Sequence, residues 1–316
     1  MAPGKKTVLV TGGAGRLGRA LIAELIRQGM AVRALVQRKD DVVALPPGTV
    51  PYVGDITDEY TLSEACSGAD AVVHLAAIVS QYRTGSREIL RTNTLGTRKV
   101  AEAARAARVK KIVFASTVNV YGRVRKEKLD ERSEPRPTDT YGQSKALAEK
   151  EIINSGIDYT ILRMAALYGP GFEGSFYKIL RIIRDGKAHI IGSGRNHLAF
   201  LNVNDAIRAF VLALGRRASR NQIYNITDGR DYTQGYLFEL AADLLGVKRP
   251  DRHISPILVH IVAKARGLDT DEVRFITSNR LVDISKARRQ LGFRPRESVE
   301  SGAGYLLERF NANRRR

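Results

Sequence analysis

The stretch Thr11-Gly-Gly-Ala-Gly-Arg-Leu-Gly18 decides the fold. It follows the β-branched run Thr7-Val-Leu-Val10, which predicts a strand, and it leads into Leu17–Gln28, whose apolar spacing predicts a helix. A glycine-rich turn between a strand and a helix suits a dinucleotide pyrophosphate, because the backbone can approach the phosphates and the helix N-terminus offers free N–H groups. The stretch therefore predicts a dinucleotide-binding fold rather than a merely tight loop.

The glycines of this turn have different predicted tasks. Gly12 and Gly13 permit a tight turn. Gly15 lets the backbone come near a pyrophosphate without a Cβ clash, and Gly18 lets the helix pack close to the strand. The residues of the turn that we assign to the cofactor site are Gly12, Gly15, Arg16, Leu17 and Gly18.

Beyond the turn, short β-branched runs alternate with helical stretches through the first half of the chain. The further predicted strands are Ala31–Val36, Val50–Val53, Ala71–His74, Lys111–Ala115 and Tyr159–Leu162, and the predicted helices include Ser86–Ala107 and Tyr141–Asn154. Such alternation is typical of parallel βαβ units with helices on both faces. We predict an α/β protein, a Rossmann-type doubly wound parallel sheet with a smaller, mainly helical C-terminal substrate lobe.

The domain organisation follows from where this alternation weakens. With 316 residues the chain is long enough for two lobes. Residues 1–168 are predicted to form the dinucleotide-binding domain, to which residues 197–226 return. Residues 169–196 and 227–316, where glycines and loops precede mainly helical sequence, are predicted to form the substrate-binding lobe.

Composition excludes several classes of protein. With 43% hydrophobic and 27% charged residues, the chain is not mainly disordered or of low complexity. One cysteine, Cys66, permits no disulfide framework, and the five histidines show no metal-ligand spacing, so we expect no metal. No apolar run approaches the roughly 18–20 residues of a membrane span. Strand-like sequence begins at Thr7, which leaves no room for a signal peptide. We expect a cytoplasmic protein with no membrane partner.

The net charge of +19 is unusual. It is interpreted either as affinity for nucleic acid, anionic lipid or anionic metabolites, or as a solvated basic surface. The basic clusters lack the interleaved aromatic residues of nucleic-acid motifs; they are Arg123-Val-Arg-Lys126, Arg216-Arg-Ala-Ser-Arg220 and Arg314-Arg-Arg316. We therefore favour the solvated surface and do not expect a nucleic-acid partner.

The end of the second predicted strand bears on the choice of dinucleotide. An acidic residue there would hold the ribose 2′-hydroxyl of NAD, but Leu35-Val-Gln-Arg-Lys39 contains no carboxylate. Arg38 is placed to meet a 2′-phosphate, with Lys39 or Arg16 as helpers, because a guanidinium forks onto phosphate. The sequence favours NADP. NAD remains possible, with Gln37 serving its ribose.

A phenol and an ammonium stand one helical turn apart in Tyr141-Gly-Gln-Ser-Lys145, about 5–6 Å between Cβ atoms. The preceding Thr138-Asp-Thr140 supplies N-capping side chains. At about 6 Å and an effective dielectric constant of about 20, the ammonium lowers the phenol pKa by about two units. We therefore expect Tyr141 to exchange protons near neutral pH, with Lys145 as the cause.

The ordered motifs resemble the extended short-chain dehydrogenase/reductase family, also called the NAD-dependent epimerase/dehydratase family, over nearly the whole chain. Thr11–Gly18 is similar to its TGxxGxxG turn, and Tyr141 and Lys145 are similar to its YxxxK pair. Thr117, in Phe114-Ala-Ser-Thr-Val-Asn-Val-Tyr-Gly122, stands at its catalytic Ser/Thr. Further matching motifs are Gly54–Asp58, His74–Ala77, Asn93–Thr97, Leu162-Arg163, Tyr168–Pro170, Gly192–Asn196, Val203–Asp205, Asp283–Ala287 and Leu291–Phe293.

The resemblance implies a role for each matching residue. It implies a catalytic triad in which Thr117 holds the substrate oxygen, Tyr141 transfers its proton, and Lys145 also donates to the ribose hydroxyls. Hydride then moves to or from nicotinamide C4. The end of the second strand supplies two further predicted cofactor contacts, Gln37 and Arg38. The remaining cofactor contacts, together with Tyr141 and Lys145, follow from the resemblance; they are Asp55 against adenine, its neighbour Ile56, the adenosine wall Leu75, Ala76 and Ala77, and the mid-helix Asn93.

Departures from the family pattern bear on the reaction. Val118-Asn119 replaces the Asp-Glu pair of the dehydratases. Ala165-Ala166 and His197–Leu201 lack the Asn and the diphosphate-binding Arg of the sugar-nucleotide epimerases. The first hypothesis is therefore an alcohol/carbonyl oxidoreductase, resembling the dihydroflavonol-reductase and hydroxysteroid-dehydrogenase branch. The alternatives are a UDP-sugar 4-epimerase with tightly bound NAD, and a noncatalytic member that binds RNA or a partner complex.

Two expectations concern the substrate pocket and the assembly. Phe176, Leu198 and Phe200 are candidates for lining an apolar pocket for a small-molecule substrate, and equally for a place in the core. The resemblance also implies a homodimer through the helices Ser86–Ala107 and Tyr141–Asn154, and the Ala-rich end of the first helix permits close packing.

Overall fold

The computed structural model describes residues 5–79, 84–122, 128–172, 175–265 and 276–312. Its strands are β1 (Thr7–Thr11), β2 (Ala31–Val36), β3 (Thr49–Val53), β4 (Ala71–His74), β5 (Lys111–Thr117), β6 (Asp158–Met164), β7 (Ala166–Tyr168), β8 (Ile190–Ile191), β9 (His197–Leu198), β10 (Phe200–Asn202), β11 (Gln222–Ile226), β12 (Tyr232–Thr233) and β13 (His253–Ile254). Its helices are α1 (Arg16–Arg27), α2 (Glu59–Cys66), α3 (Ser86–Ala106), α4 (Thr140–Asn154), α5 (Ser175–Arg184), α6 (Val203–Gly215), α7 (Gln234–Leu245), α8 (Pro256–Ala265) and α9 (Ala303–Ala312).

Seven strands form one sheet in the order β3-β2-β1-β4-β5-β6-β11, and all of its pairs are parallel. The strand order reverses beside β1, which is the doubly wound arrangement. The predicted α/β Rossmann-type fold is therefore confirmed. The division of the chain into a binding domain and a substrate lobe stays a prediction.

The sheet is buried on both faces, as parallel sheets are. Val8 and Val10 pack in the cluster that includes α1 and α6, whereas Leu9 between them packs in the cluster that includes α2, α3 and α4. This alternation explains why β1 consists of apolar residues throughout. At the edge, β3 leaves Val50 more than half exposed and contains Pro51, which edge strands tolerate.

A third apolar cluster lies outside the large sheet and unites residues of α5, α7 and α9. Phe176, Leu198 and Phe200 belong to it, and each is at most 1% exposed. The rings of Phe176 and Phe200 meet edge to face at 6.3 Å between centroids. The sequence left open whether these three side chains line a substrate pocket or belong to the core. The structure places them in the core.

The described residues supply no helix long and apolar enough to cross a bilayer. The same residues contain no group of three or more His, Cys, Asp or Glu side chains arranged to hold a metal ion. Of the three basic clusters, Arg123–Lys126 and Arg314–Arg316 lie outside the described residues. The third follows α6, where Arg220 forms an exposed ion pair with Asp158.

Candidate active site

The carboxyl ends of the parallel strands place the predicted site residues along one edge of the sheet, where doubly wound proteins bind their ligands. The glycine turn follows β1, Gln37 follows β2, Leu75 follows β4, and Thr117 ends β5. The start of α4 provides Tyr141. The fold therefore brings together groups that are up to about 130 residues apart in the sequence.

Gly12 is required by close contact between the turn and the loop after β4. Its φ is +69°, which L side chains rarely adopt, and a Cβ there would lie 2.9 Å from the backbone of Ala76. Gly18 is required by helix packing, because its Cβ would lie 2.3 Å from the Gly12 carbonyl oxygen. Both glycines serve the geometry of the turn itself.

Gly15 is different, because within the protein a Cβ there would meet only the Gly12 carbonyl oxygen, at 3.2 Å. It precedes α1, and no side chain caps that helix start. Leu17 is partly buried against the core. Arg16 donates to the Gly171 carbonyl at 2.9 Å, so its guanidinium is engaged with the loop after β7. A phosphate bound at this turn would therefore be held by backbone N–H groups rather than by Arg16.

A chain of hydrogen bonds ties the end of β1 to β4 and α3. The fully buried His74 ring contacts Thr11 Oγ1 at 2.7 Å and Thr97 Oγ1 at 2.9 Å. Because Thr97 donates to the Asn93 carbonyl, it accepts from His74 Nε2, and Nδ1 accepts from Thr11. Burial lowers the pKa of His74 to about 3, with the Lys145 charge adding to the effect. His74 is thus a neutral structural group.

Asn93 positions the loop after β4 rather than presenting its amide to a ligand. Its Oδ1 accepts from the Ile78 amide at 2.7 Å, and its Nδ2 donates to the Ile78 carbonyl and to Ser144 Oγ, both at 2.9 Å. This loop carries Leu75, Ala76 and Ala77, which are partly buried. The Asn93 amide is therefore engaged within the protein, and its contact with a cofactor stays a prediction.

The end of β2 forms a polar cluster with the loop after β3. Gln37 Nε2 donates to Asp55 Oδ2 at 3.1 Å, and Asp55 Oδ1 accepts from Thr57. Arg38 pairs with Asp41 at 3.2 Å and is largely exposed. Neighbouring Ile56 is buried and packs on α3, where a Cβ on Gly96 would lie 2.4 Å from it. Arg38 is therefore paired, in an exposed contact that is worth little and is easily exchanged.

The start of α4 holds the predicted acid–base group beside the predicted hydroxyl. Asp139 caps the helix by accepting from the Gly142 amide at 2.7 Å. Gly142 packs on the turn after β5, since a Cβ there would lie 2.7 Å from the Asn119 carbonyl oxygen. Thr117 Oγ1 accepts from the Asn119 amide at 3.2 Å. The two contacts through Asn119 therefore place Tyr141 next to the end of β5.

The electrostatics differ from the sequence prediction. Burial, with the Asp139 carboxylate adding to it, raises the pKa of Tyr141 to about 12. Lys145 is buried with its Nζ 4.0 Å from the centroid of the Phe114 ring, and burial lowers the pKa of Lys145 to about 7 against the opposing charge of Glu149. The prediction that Lys145 lowers the pKa of Tyr141 is therefore wrong, because burial disfavours the charged form of both groups.

A buried ion pair behind the site was missed from the sequence. Arg163 of β6 donates to Glu149 of α4 at 2.7 Å, and both side chains are under 5% exposed. Glu149 also accepts from Ser116, the neighbour of Thr117. Arg163 further donates to the Tyr121 hydroxyl at 2.9 Å. Two signals were available: Arg163 interrupts an apolar strand, and Glu149 stands four residues after Lys145, on the same helix face.

The lowered pKa of Lys145 predicts a pH dependence of stability. Between about pH 7 and 10 the unfolded chain keeps a proton on Lys145 that the folded protein has lost, since a free lysine titrates near 10.4. Stability should therefore rise with pH in this window, by about 1.4 kcal/mol per pH unit for this one group. Lys145→Met should remove that slope in urea unfolding at pH 7, 8 and 9.

Lys150→Met is the matched control for this pH dependence, because Lys150 lies exposed on the same helix. Burial also lowers the pKa of Lys111, to about 8, so a smaller slope should remain in every variant. An identical slope in Lys145→Met and in the wild type would contradict the assignment.

The residues at this edge fit a dinucleotide. Gly15 leaves the turn open on the side where a Cβ would otherwise project, and the uncapped start of α1 suits a pyrophosphate. Gln37, after β2, is hydrogen-bonded to Asp55, after β3, and the end of β2 is where a ribose is held in this fold. The edge of the sheet thus offers an unobstructed backbone for the pyrophosphate and hydrogen-bonding groups for the ribose of a dinucleotide.

The comparison with known families agrees with this geometry. The family model for the NAD dependent epimerase/dehydratase family matches residues 8–227. The chain belongs to this family. Among curated relatives, "Sterol demethylase protein B" of Methylococcus capsulatus is 30% identical, over 92% of this chain and 94% of its own length. The "4-hydroxy-2-methyl-3-oxo-4-farnesyl-3,4-dihydroquinoline-1-oxide ketoreductase" of Stigmatella aurantiaca is 29% identical, over 95% of each chain.

Two solved structures superpose on nearly the whole chain. A UDP-glucose 4-epimerase of Thermotoga maritima, solved with UDP-glucose, gives a TM-score of 0.78 at 27% identity and covers 97% of this chain and 99% of that one. MoeE5 in complex with UDP-glucose and NAD gives 0.78 at 27% identity, with 98% and 100% covered. The protein is thus an enzyme-family member along nearly its full length, including the residues beyond the family model.

Proposed function

We propose that this member of the epimerase/dehydratase family is an NAD(P)-dependent oxidoreductase that interconverts an alcohol and a carbonyl group. The observation that carries the proposal is the position of Thr117 at the end of β5, with the first turn of α4, which contains Tyr141, packed through Gly142 on the turn that follows. A ketoreductase among the relatives supports the reaction type. Val118-Asn119, in the turn after β5, supports the exclusion of a dehydratase.

The side chains favour carbonyl reduction. The dinucleotide supplies the hydride donor or acceptor when it is bound. Thr117 donates a hydrogen bond to the substrate oxygen, and Tyr141 delivers its proton to the same oxygen. A phenol whose pKa is raised to about 12 is protonated at neutral pH, so it is ready as an acid rather than as a base. Lys145, one helical turn after Tyr141, is buried with its Nζ over the Phe114 ring, and this contact anchors the start of α4 to β5.

The experiment that tests the proposal measures bound cofactor and net redox change together. An oxidoreductase releases its dinucleotide each cycle, so denatured purified protein should yield well under one dinucleotide per chain. The native enzyme should also consume NADPH or NADH when it is given one or more of a panel of aliphatic and cyclic ketones. One tightly held dinucleotide per chain, with no net consumption, would contradict the proposal.

The second candidate is a UDP-sugar 4-epimerase with tightly bound NAD. The full-length match to the Thermotoga maritima epimerase favours it. The stretch His197–Leu201, which lacks a diphosphate-binding arginine, speaks against it. Under this alternative UDP should raise the melting temperature by several degrees, because ligands that bind only the folded state stabilise it.

The proposal also includes a preference for NADP over NAD, set by Arg38. Replacement of Arg38 by Ala should weaken NADPH binding by about 10–150-fold, because one charge-assisted hydrogen-bonding partner is worth about 1.5–3 kcal/mol, and it should leave NADH binding unchanged. Asp41→Asn should strengthen NADPH binding, because it frees Arg38 and removes a repelling carboxylate. Dissociation constants for both dinucleotides are measured by fluorescence titration.

Arg27→Ala is the control for this test, since Arg27 forms a similar exposed pair with Glu24 on α1. If Arg38→Ala changes the affinity for NADH and NADPH equally, the preference is not set by Arg38, and NAD with Gln37 becomes the better assignment.

The expected assembly is a homodimer through α3 and α4, and it too is part of the proposal. Leu147 and Ile153 of α4 are exposed apolar residues, which suits a helix that packs against a second copy. The cytoplasmic location stays an expectation from the sequence.

A further inference from the structure

Ser144 stands between Tyr141 and Lys145 on α4, and its hydroxyl connects two helices. The residue is fully buried. Its hydroxyl donates to the Tyr141 carbonyl oxygen at 2.8 Å and accepts from Asn93 Nδ2 of α3 at 2.9 Å. Serines inside helices often bond back to a carbonyl of the preceding turn, and that bond alone indicates no function. The bond from a second helix is the feature that needs an explanation.

The direction of these two hydrogen bonds is fixed by Asn93. Its Oδ1 accepts from the Ile78 amide and its Nδ2 donates to the Ile78 carbonyl oxygen, so the side-chain amide has a single orientation. Nδ2 can only donate, and the Ser144 hydroxyl has one proton. That proton therefore points at the Tyr141 carbonyl oxygen, which can only accept.

The hydrogen bonding continues from Asn93 to the neighbourhood of the glycine turn. The Asn93 carbonyl oxygen accepts from Thr97 at 2.6 Å, and Thr97 accepts from His74. His74 accepts from Thr11, whose Oγ1 accepts from the Ala76 amide at 3.3 Å. Ala76 lies in the loop that packs against the glycine turn. Hydrogen bonds that all run in one direction therefore connect this loop, through Asn93 and Ser144, to the backbone of Tyr141.

Tyr141 needs such a connection because it is the second residue of α4. Helix ends fray, since the first amides of a helix have no carbonyl partner in a preceding turn. Asp139 caps this end of the helix, but it belongs to the same segment of the chain. The bond through Ser144 is different, because it ties the turn that bears Tyr141 to another helix, α3.

We infer that Ser144 is a positioning residue, which holds Tyr141 at the place from which its phenol delivers a proton. Asn93 acts through Ser144, and together they fix Tyr141 relative to the loop beside the glycine turn. The delivery of the proton rests on the proposed function, whereas the positioning of Tyr141 does not.

The kinetic test compares Ser144→Ala with Ser155→Ala. Ser155 is the matched control on the same helix, because its hydroxyl also donates to a carbonyl three residues back, that of Ile152 at 2.7 Å, but accepts from the nearby Ile157 amide instead of from another helix. Ser144→Ala should lower kcat for carbonyl reduction by about tenfold to a hundredfold, because the proton donor is misplaced. It should change KM and the dinucleotide dissociation constant by less than about twofold, since neither depends on proton transfer. Ser155→Ala should keep the wild-type kcat.

Ser144→Cys extends the series, since a thiol is a weaker hydrogen-bond donor than a hydroxyl. The kcat values should fall in the order Ser, Cys, Ala, and urea unfolding shows that each variant is folded under the assay conditions. The Cys variant also carries the test if Ser144→Ala does not fold. A serine that only stabilises the fold would lower the free energy of unfolding and leave kcat unchanged, and that result would overturn the positioning role.

A second measurement reports the position of Tyr141 without turnover. Protein labelled with fluorotyrosine gives a fluorine NMR resonance for Tyr141, which is assigned by its loss in Tyr141→Phe. This resonance should shift or broaden in Ser144→Ala and stay in place in Ser155→Ala. A changed resonance in a protein that reduces no ketone keeps the positioning role and rejects the reaction. Ketone reduction with an unchanged resonance and an unchanged kcat in Ser144→Ala keeps the reaction and rejects the positioning role.

Discussion

Replacement of Tyr141 by Phe is expected to lower kcat for carbonyl reduction by about 10²–10⁴-fold, the usual contribution of a positioned proton donor. The phenol is the group at this edge that we assign to proton transfer, and its raised pKa of about 12 keeps the proton available. Phe keeps the ring in its partly buried place at the start of α4. Cofactor affinity should therefore change by less than about twofold, because the backbone of the glycine turn carries most of that binding.

Steady-state kinetics and a fluorescence titration with NADPH check the two parts separately. Tyr60→Phe is the matched control, because Tyr60 is 72% exposed on α2 and is not one of the predicted site residues. A Tyr141→Phe enzyme that keeps more than about a tenth of the wild-type kcat would show that another group protonates the substrate oxygen, and the triad would have to be reassigned.

The fold was predictable because its determinants are local. Each central strand is an apolar run such as Thr7–Val10, and Gly18 is required by a contact within the turn itself, although Gly12 is required by the loop after β4. The right-handed connections of parallel sheets then limit the arrangements that these strands and helices can adopt. Element ends were the weak point: β5 runs to Thr117, two residues beyond the predicted end, because the hydroxyl-bearing residues Ser116 and Thr117 continue the parallel pairing with β6.

The site was predictable in position but not in its interactions. The motif that places Asn93 gives no indication that its amide is used up by Ile78 and Ser144. The spacing of Tyr141 and Lys145 gives a distance but not the dielectric environment, and burial reversed the expected pKa shift. Such quantities depend on which side chains close over a group, and those come from distant parts of the chain.

The buried pair between Glu149 and Arg163 shows the same limit and carries the largest expected effect on stability. The partners belong to α4 and β6, and each makes several hydrogen bonds that hold Ser116 and Tyr121 in place. Glu149→Gln removes the carboxylate and leaves the guanidinium uncompensated in the interior. The expected cost is about 3–5 kcal/mol of the free energy of unfolding, measured by urea denaturation.

Glu151→Gln is the matched control on the same helix, because Glu151 pairs with Arg98 at 2.8 Å where Arg98 is half exposed. Its expected cost is about 0.2–1 kcal/mol. The double variant Glu149→Met with Arg163→Met should recover most of the lost stability, since it removes both charges instead of stranding one. If Glu149→Gln costs no more than the control, the interior tolerates the lone guanidinium, and desolvation does not dominate there.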